Sequence, residues 1–300
     1  MKLFTIFQTG LIATSMAMTI VAPTLAEDEV KITVQKLSNT IAVLYGKGGN
    51  IGVSAGPDGV YIIDDQYAEM SDKIRAAIAG LSNKPVSYII NTHWHGDHIG
   101  GNENFGTTGS VIIAHDNVRK RMLTGGFVKA AGKVMPPAPK VALPVITFND
   151  SLTLNLNGEE ARLLHVKAAH TDGDSMVFFP ASNIVHMGDT FFYNSFPFID
   201  RDSGGSINGI IAATEMVLAK VDDKTQIIPG HGPVTDKAGL ESYRTMCIAM
   251  REKIATMKQS GMSLEDVIAA EPTAAFAEKW DTWGPDWKNI FISALYDDAE

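Results

Sequence analysis

Four apolar runs in this chain each end in a residue that can bind a metal, and that recurrence constrains the fold more than any other feature. "VSYIINTHWHGDH" runs into His93, His95, Asp97 and His98; "ARLLHVKAAH" ends at His170; "NIVHMGD" ends at Asp189; "TQIIPGH" ends at His231. Each run reads as a buried strand followed by a polar or glycine-containing turn. In open α/β architectures sites assemble at strand ends, so neighbouring strands of this kind would bring the donors to one cleft.

The rest of the chain reads consistently with such sheets. Strands are predicted between Val30 and Asp64, in "KITVQKLSNTIAVLYG", "NIGVSAG" and "GVYIIDD", with turns at Ser38-Asn39 and in the glycine-rich stretches 46–49 and 56–59. "AEMSDKIRAAIAGL" has helical period, and "GSVIIAHDNVRKRML" reads as a strand running into a helix. Residues 124–140, "TGGFVKAAGKVMPPAPK", carry a glycine pair, a further glycine and three prolines, and read as a loop joining two halves. Strands are predicted again over residues 145–189, then a helix over "INGIIAATEMVLAKV". Two helices are expected to finish the chain, the last around "DWKNIFISALYDD". Alternating strands and helices predict an α/β protein with central sheets covered by outer helices.

Of eight histidines in the chain, three lie between positions 93 and 98. With this chain's residue frequencies, H-x-H-x-D-H arises by chance in roughly a few per ten thousand such sequences. His93 and His95 are two apart, so in an extended segment their rings share a side. Gly96 lets the chain turn, so that Asp97 and His98 reach a second point nearby. The donors then divide into two sets, His93, His95 and His170 for one ion and Asp97, His98 and His231 for the other, with Asp189 able to bridge both. Nitrogen and oxygen donors suit zinc and tolerate iron or manganese. A closed structural zinc site would instead be rich in cysteine. Two divalent ions, less two aspartates and one bridging hydroxide, leave about one positive charge for an anionic substrate or intermediate. His115 begins the predicted helix after "VIIA" and reads as structural, and His165 and His186 lie inside strands, where packing and hydrogen bonding account for them.

The first 26 residues carry Lys2, the short apolar run "LIATSMAMTIVA" and small residues before Glu27. This pattern predicts a signal peptide cut after Ala26, leaving residues 27–300 as the functional domain in the periplasm or outside the cell, with no stable membrane association. Losing Lys2 with the leader leaves 24 basic against 34 acidic residues, a net charge of −10. That surface repels phosphate backbones and argues against nucleic acid as a partner. Cys247 is the only cysteine, so no intrachain disulfide can form, and its helical, apolar setting reads as a buried structural thiol.

"THWHGDH" resembles the signature of the metallo-β-lactamase superfamily, and "GVYIIDD", "AHTDGD", "MGDTFF" and "PGHGP" follow in that family's order. The resemblance implies a four-layer αββα sandwich with two zinc ions at one edge, held by the same seven residues. It further implies that Asp64 supports the site by orienting a ligand or backbone groups. Zinc would lower the pKa of bound water to about 7, so a metal-bridging hydroxide would attack a small-molecule substrate, with Asp97 orienting the nucleophile. The family name and the export signal point to β-lactams. The aspartate at position 189, where established metallo-β-lactamases usually carry cysteine or serine, is similar instead to the family's lactonases, thioesterases and other ester hydrolases. A third reading is an iron-dependent redox enzyme on the same fold. Residues 46–50 are expected to form a flap over the metals, and residues 191–206, with five aromatics, to shape the pocket. Arg201 is a candidate for a substrate carboxylate, although an exposed surface position suits it better; no carboxylate-binding lysine is evident. Composition carries no signature of oligomeric state.

Overall fold

Adjacent isoleucines in the first half of the chain point in opposite directions, and this builds the layers. In the computed structural model, which describes residues 30–129 and 132–299, Ile63, Ile90 and Ile113 meet Leu163, Val177 and Ile228 in one buried cluster. Their neighbours Ile62, Ile89 and Ile112 pack on the opposite side against Ile74 and Ile78 of the helix Ser71–Ala79. A strand buried on both faces must be apolar at consecutive positions, as these are. The predicted signal peptide lies outside the described residues.

One sheet has seven strands, in the order Thr33–Lys36, Ile41–Tyr45, Ile51–Gly56, Gly59–Ile63, Val86–Ile90, Val111–His115 and Ile146–Phe148. Its first four strands pair antiparallel as a meander, and the pairs from Gly59–Ile63 onward are parallel. The second sheet has five, in the order Ser151–Leu156, Glu159–His165, Ser175–Phe179, Ile184–His186 and Gln226–Ile228. Its last pair is parallel, with His186 opposite Ile228. The sheets face each other, and the helices Ile207–Leu218, Lys237–Gln259 and Pro285–Asp298 cover the outer face of the second. This is the four-layer αββα sandwich.

Two expectations are corrected. Residues 124–140 are not simply a loop, because Gly126–Val128 and Lys133–Met135 pair as a small antiparallel hairpin. Strands of three residues are too short to display a period. From Lys237 onward the described residues form four α-helices rather than two, since the short helices Leu264–Ala269 and Ala277–Trp280 intervene. The first of these rests on a Ser263–Asp266 capping box rather than on an extended apolar stripe. Among the described residues no helix is long and apolar enough to cross a membrane. Cys247 is buried as expected, and burial pushes its thiol pKa up.

Candidate metal centre

Each of the four strand ends delivers its donor to the same edge of the sandwich. Residues 91–95 leave the strand Val86–Ile90 and enter the short helix Gly96–Ile99, placing four donors within six positions. Ser175 N donates to Thr92 O at 2.8 Å, which ties this segment of the first sheet to the second. The side chains gather as expected into two groups, His93, His95, His170 and Asp189 in one, and Asp97, His98 and His231 in the other. The first group is buried, whereas His231 and Asp97 keep 14% and 22% of their side-chain surface and face the cleft.

Hydrogen bonds on the far side of each ring decide which nitrogen faces inward. His170 Nδ1–H donates to Phe198 O at 2.8 Å, leaving Nε2 as a lone-pair donor. His95 is turned the other way: its Nε2 bonds Asp200 Oδ2 at 2.9 Å, so Nδ1 faces the centre. Asp64 accepts from Thr92 N, Thr92 Oγ1 and His98 Nδ1, each at 2.7 Å. With its proton committed to Asp64, the Thr92 hydroxyl accepts from His93 Nδ1 at 3.0 Å. One buried carboxylate therefore orients a ring in each group, directly for His98 and through Thr92 for His93. Asp64 sits at φ 64°, a left-handed conformation uncommon for a residue with a side chain.

The inward-facing atoms fit a bound cation. His95 Nδ1 and His170 Nε2 lie 2.8 Å apart with both protons committed elsewhere, so two lone pairs oppose each other. His93 Nε2 and Asp189 Oδ1 are buried and lack hydrogen-bond partners. Such atoms are costly to bury unless something satisfies them. Asp189 Oδ1 lies 3.1 Å from His98 Nε2, while its Oδ2 lies 3.4–3.7 Å from the Nε2 atoms of His231, His170 and His93. Asp189 thus lies within 3.7 Å of histidines from both groups.

Electrostatics separate the two groups. Burial and neighbouring histidines hold His93 well below its ordinary pKa, and burial brings His170 down to about 4. Both are neutral, the state a metal ligand needs. Burial also opposes charge on His98 and His231, but the surrounding Asp189 and Asp97 carboxylates outweigh it. His98 is raised well above the ordinary value and His231 rises to about 9. Burial pushes Asp97 and Asp189 upward, yet the adjacent histidines win and hold both below the usual carboxylate range. Two ionised carboxylates among cation-seeking rings match a divalent metal by charge.

Glycines leave room for this arrangement. A Cβ on Gly49 would stand 2.1 Å from His98 Cε1, and one on Gly230 would stand 2.0 Å from Asp189 Oδ1. The end of the loop 46–50 is tied to the centre: Gly49 N donates to Asp97 O, Asn50 N to Gly230 O, and Asn50 Nδ2 to Pro229 O. Substituting Gly49→Ala must displace the His98 ring, which Asp64 pins from behind. The expected result is loss of metal from the Asp97–His98–His231 group and about 1–3 kcal/mol of stability, read by elemental analysis and denaturant melts.

The remaining histidines stand apart from the cluster. His115 and His165 stack at 3.7 Å across the two sheets, and the buried His186 donates from Nε2 to Asn50 O at 3.2 Å. Arg201 pairs with Asp298 of the last helix, so it does not serve the cleft. Sequence reading missed Asp200 and Thr92, and it missed Lys47 and Lys133, which line the cleft. The cleft holds about 370 Å³ above Asp97, Asp189 and His231, and its walls include Phe192, Phe198, Trp283 and Trp287. Residues 191–206 therefore divide their aromatics: Phe192 and Phe198 face the cleft, and Phe191 and Phe196 fill the core.

Residues 44–241 match the profile of the metallo-beta-lactamase superfamily. The chain is 26% identical to the metallo-beta-lactamase type 2 of Bacteroides fragilis over 170 residues, covering 57% of this chain and 61% of that protein. It is 28% identical to the hydroxyacylglutathione hydrolase of Nitrosococcus oceani over 156 residues, covering 51% of each. The match thus spans between half and about three fifths of these relatives' length. Among solved structures, a metallo-beta-lactamase from Pontibacter korlensis superposes with TM-score 0.58 at 17% identity, over 72% of this chain and 99% of that one, a likeness of fold. On the profile match and the sandwich together, the chain belongs to the metallo-beta-lactamase superfamily.

Proposed function

We propose that this protein is a two-zinc hydrolase that opens cyclic amides, with β-lactams as its substrate class, acting on small molecules in the periplasm after removal of residues 1–26. The observation that carries the reading is Asp189, whose two oxygens approach histidines of both groups at 3.1–3.7 Å. Two divalent ions, when bound, supply a water-derived nucleophile at neutral pH and a positive field for the oxygen under attack. His93, His95, His170 and Asp189 would hold one ion, and Asp97, His98, His231 and Asp189 the other.

The chain's own groups supply the rest. Asp97 lies in the first turn of the helix Gly96–Ile99 and remains partly open to the cleft, where its carboxylate can accept a hydrogen bond from the attacking water and orient it. Asp64 and Asp200 keep the rings from turning, so the donors need little reorganisation. The Phe192 and Phe198 rings keep bulk water from one side of the cleft, which strengthens electrostatics within it.

Asp189 also favours a second reading, because the aspartate resembles that of lactone, thioester and ester hydrolases rather than the cysteine or serine of established metallo-β-lactamases. The test is hydrolysis of a chromogenic cephalosporin by zinc-quantified protein, with loss on chelation and recovery on zinc addition. No turnover of penicillins, cephalosporins or carbapenems with both sites loaded would contradict the lactam reading, and a lactone and thioester panel then decides for the second.

A further inference from the structure

Trp283 is 44% exposed, whereas Trp94 and Trp280 are 3% and 2% exposed. The exposed ring stands edge-on to His231 at 5.2 Å and beside Phe192 at 5.7 Å. Trp287 meets it at 4.4 Å and 67°, so the two rings form an apolar corner. That corner is held in place. Trp287 Nε1 donates to Phe196 O at 2.8 Å and its ring stacks on Phe198 at 5.4 Å. Trp283 is fixed by its neighbours, since Thr282 Oγ1 donates to Asn194 O and Gly284, at φ 87°, caps the helix Pro285–Asp298. Both tryptophans lie outside residues 44–241, so this wall is not part of the segment that matches the family.

The other side of the cleft is cationic and apolar. Lys47 and Lys133 line it in a chain whose net charge is −9, with Met135 and Val128 beside them. Lys47 pairs with Glu69 at 2.9 Å, while Lys133 makes no ion pair among the described residues. The hairpin that carries Lys133 also seats Met135 over Gly96, between His95 and Asp97. A planar apolar group in the tryptophan corner and an anion near Lys133 would both lie beside the metal centre.

We infer that Trp283 and Trp287 form a recognition subsite for an aromatic group on a substrate that also carries a carboxylate, which Lys133 attracts. The inference rests on the hydrolase reading for its substrate but not for its binding test. Zinc-loaded full-length protein is titrated with 4-phenylbutyrate and butyrate, which share a carboxylate and differ by a ring; any binding of the carboxylate to metal cancels in their ratio. Phenylbutyrate should bind at least about tenfold tighter than butyrate. Trp283→Ala and Trp283→Leu should cut that ratio to below about threefold, Trp283→Phe should retain most of it, and Lys133→Ala should weaken both acids alike. Equal binding of the two acids by the unaltered protein, or an undiminished ratio in the Ala and Leu variants, would overturn the subsite. A protein that opens no β-lactam can still give the predicted ratio, which separates failure of this inference from failure of the hydrolase reading. If lactams are opened, the KM advantage of benzylpenicillin over 6-aminopenicillanate should shrink in the same variants.

Discussion

Asp189→Ala is expected to lower kcat about a thousandfold or more, equivalent to roughly 4 kcal/mol, and to drop bound metal from two ions per chain to one or none. Asp189 is buried, and its oxygens are the ones shared between the two donor groups. Removing it takes away the negative charge that holds His98 and His231 in their cation-seeking state. Both proposed metal sites would lose a donor in one substitution, whereas a histidine variant would damage one site directly. Asp189→Asn tests whether charge or shape matters: it keeps the volume but cannot present two anionic oxygens, so it should resemble alanine. Elemental analysis beside steady-state rates checks the result, and full occupancy with unchanged kcat in either variant would remove Asp189 from the centre.

Asp64→Ala is the second large effect. Three buried donors, Thr92 N, Thr92 Oγ1 and His98 Nδ1, converge on this carboxylate. Each donor left unsatisfied costs about 1–3 kcal/mol, so the metal-free protein should lose roughly 3 kcal/mol or more of stability. Metal affinity should fall about 10–100-fold, as is typical when the partner of a ligating group is removed. His93 should be affected as well as His98, because the Thr92 hydroxyl loses the acceptor that sets its orientation. Asp64→Asn keeps one acceptor oxygen and should recover part of the stability. Denaturant melts of chelated protein and competitive zinc titration separate the two effects. A fall in stability with unchanged affinity at both sites would confine Asp64 to a folding role.

The donor set was legible in the sequence because every member lies within a few residues of a strand end, and apolar runs mark strand ends. The consecutive apolar residues of "GVYIIDD" and "PVSYIINTH" likewise foreshadowed strands buried on both faces. What stayed hidden depends on contacts between distant segments. Asp200 meets His95 only because the turn after Ile199 folds back across 105 positions, and no local spacing encodes that return. Trp283 precedes the C-terminal helix and Trp287 lies in its first turn; their place in the cleft follows from how that helix packs. Lys133 sits in a hairpin whose strands have three residues each, below the length at which alternation can be seen. The glycines of the loop 46–50 read as turn signals, and the structure adds close approach, since Gly49 lies against the His98 ring. Glycine permits both, and only the neighbouring side chain distinguishes them.

The most direct test of the two-metal centre is metal-edge anomalous scattering from crystals of zinc-loaded protein, paired with elemental analysis of the same sample. The account predicts two ions per chain, about 3.5–4 Å apart, one among His93, His95 and His170 and the other among Asp97, His98 and His231, with Asp189 between them. A single ion in fully active protein, or ions held by other residues, would contradict it.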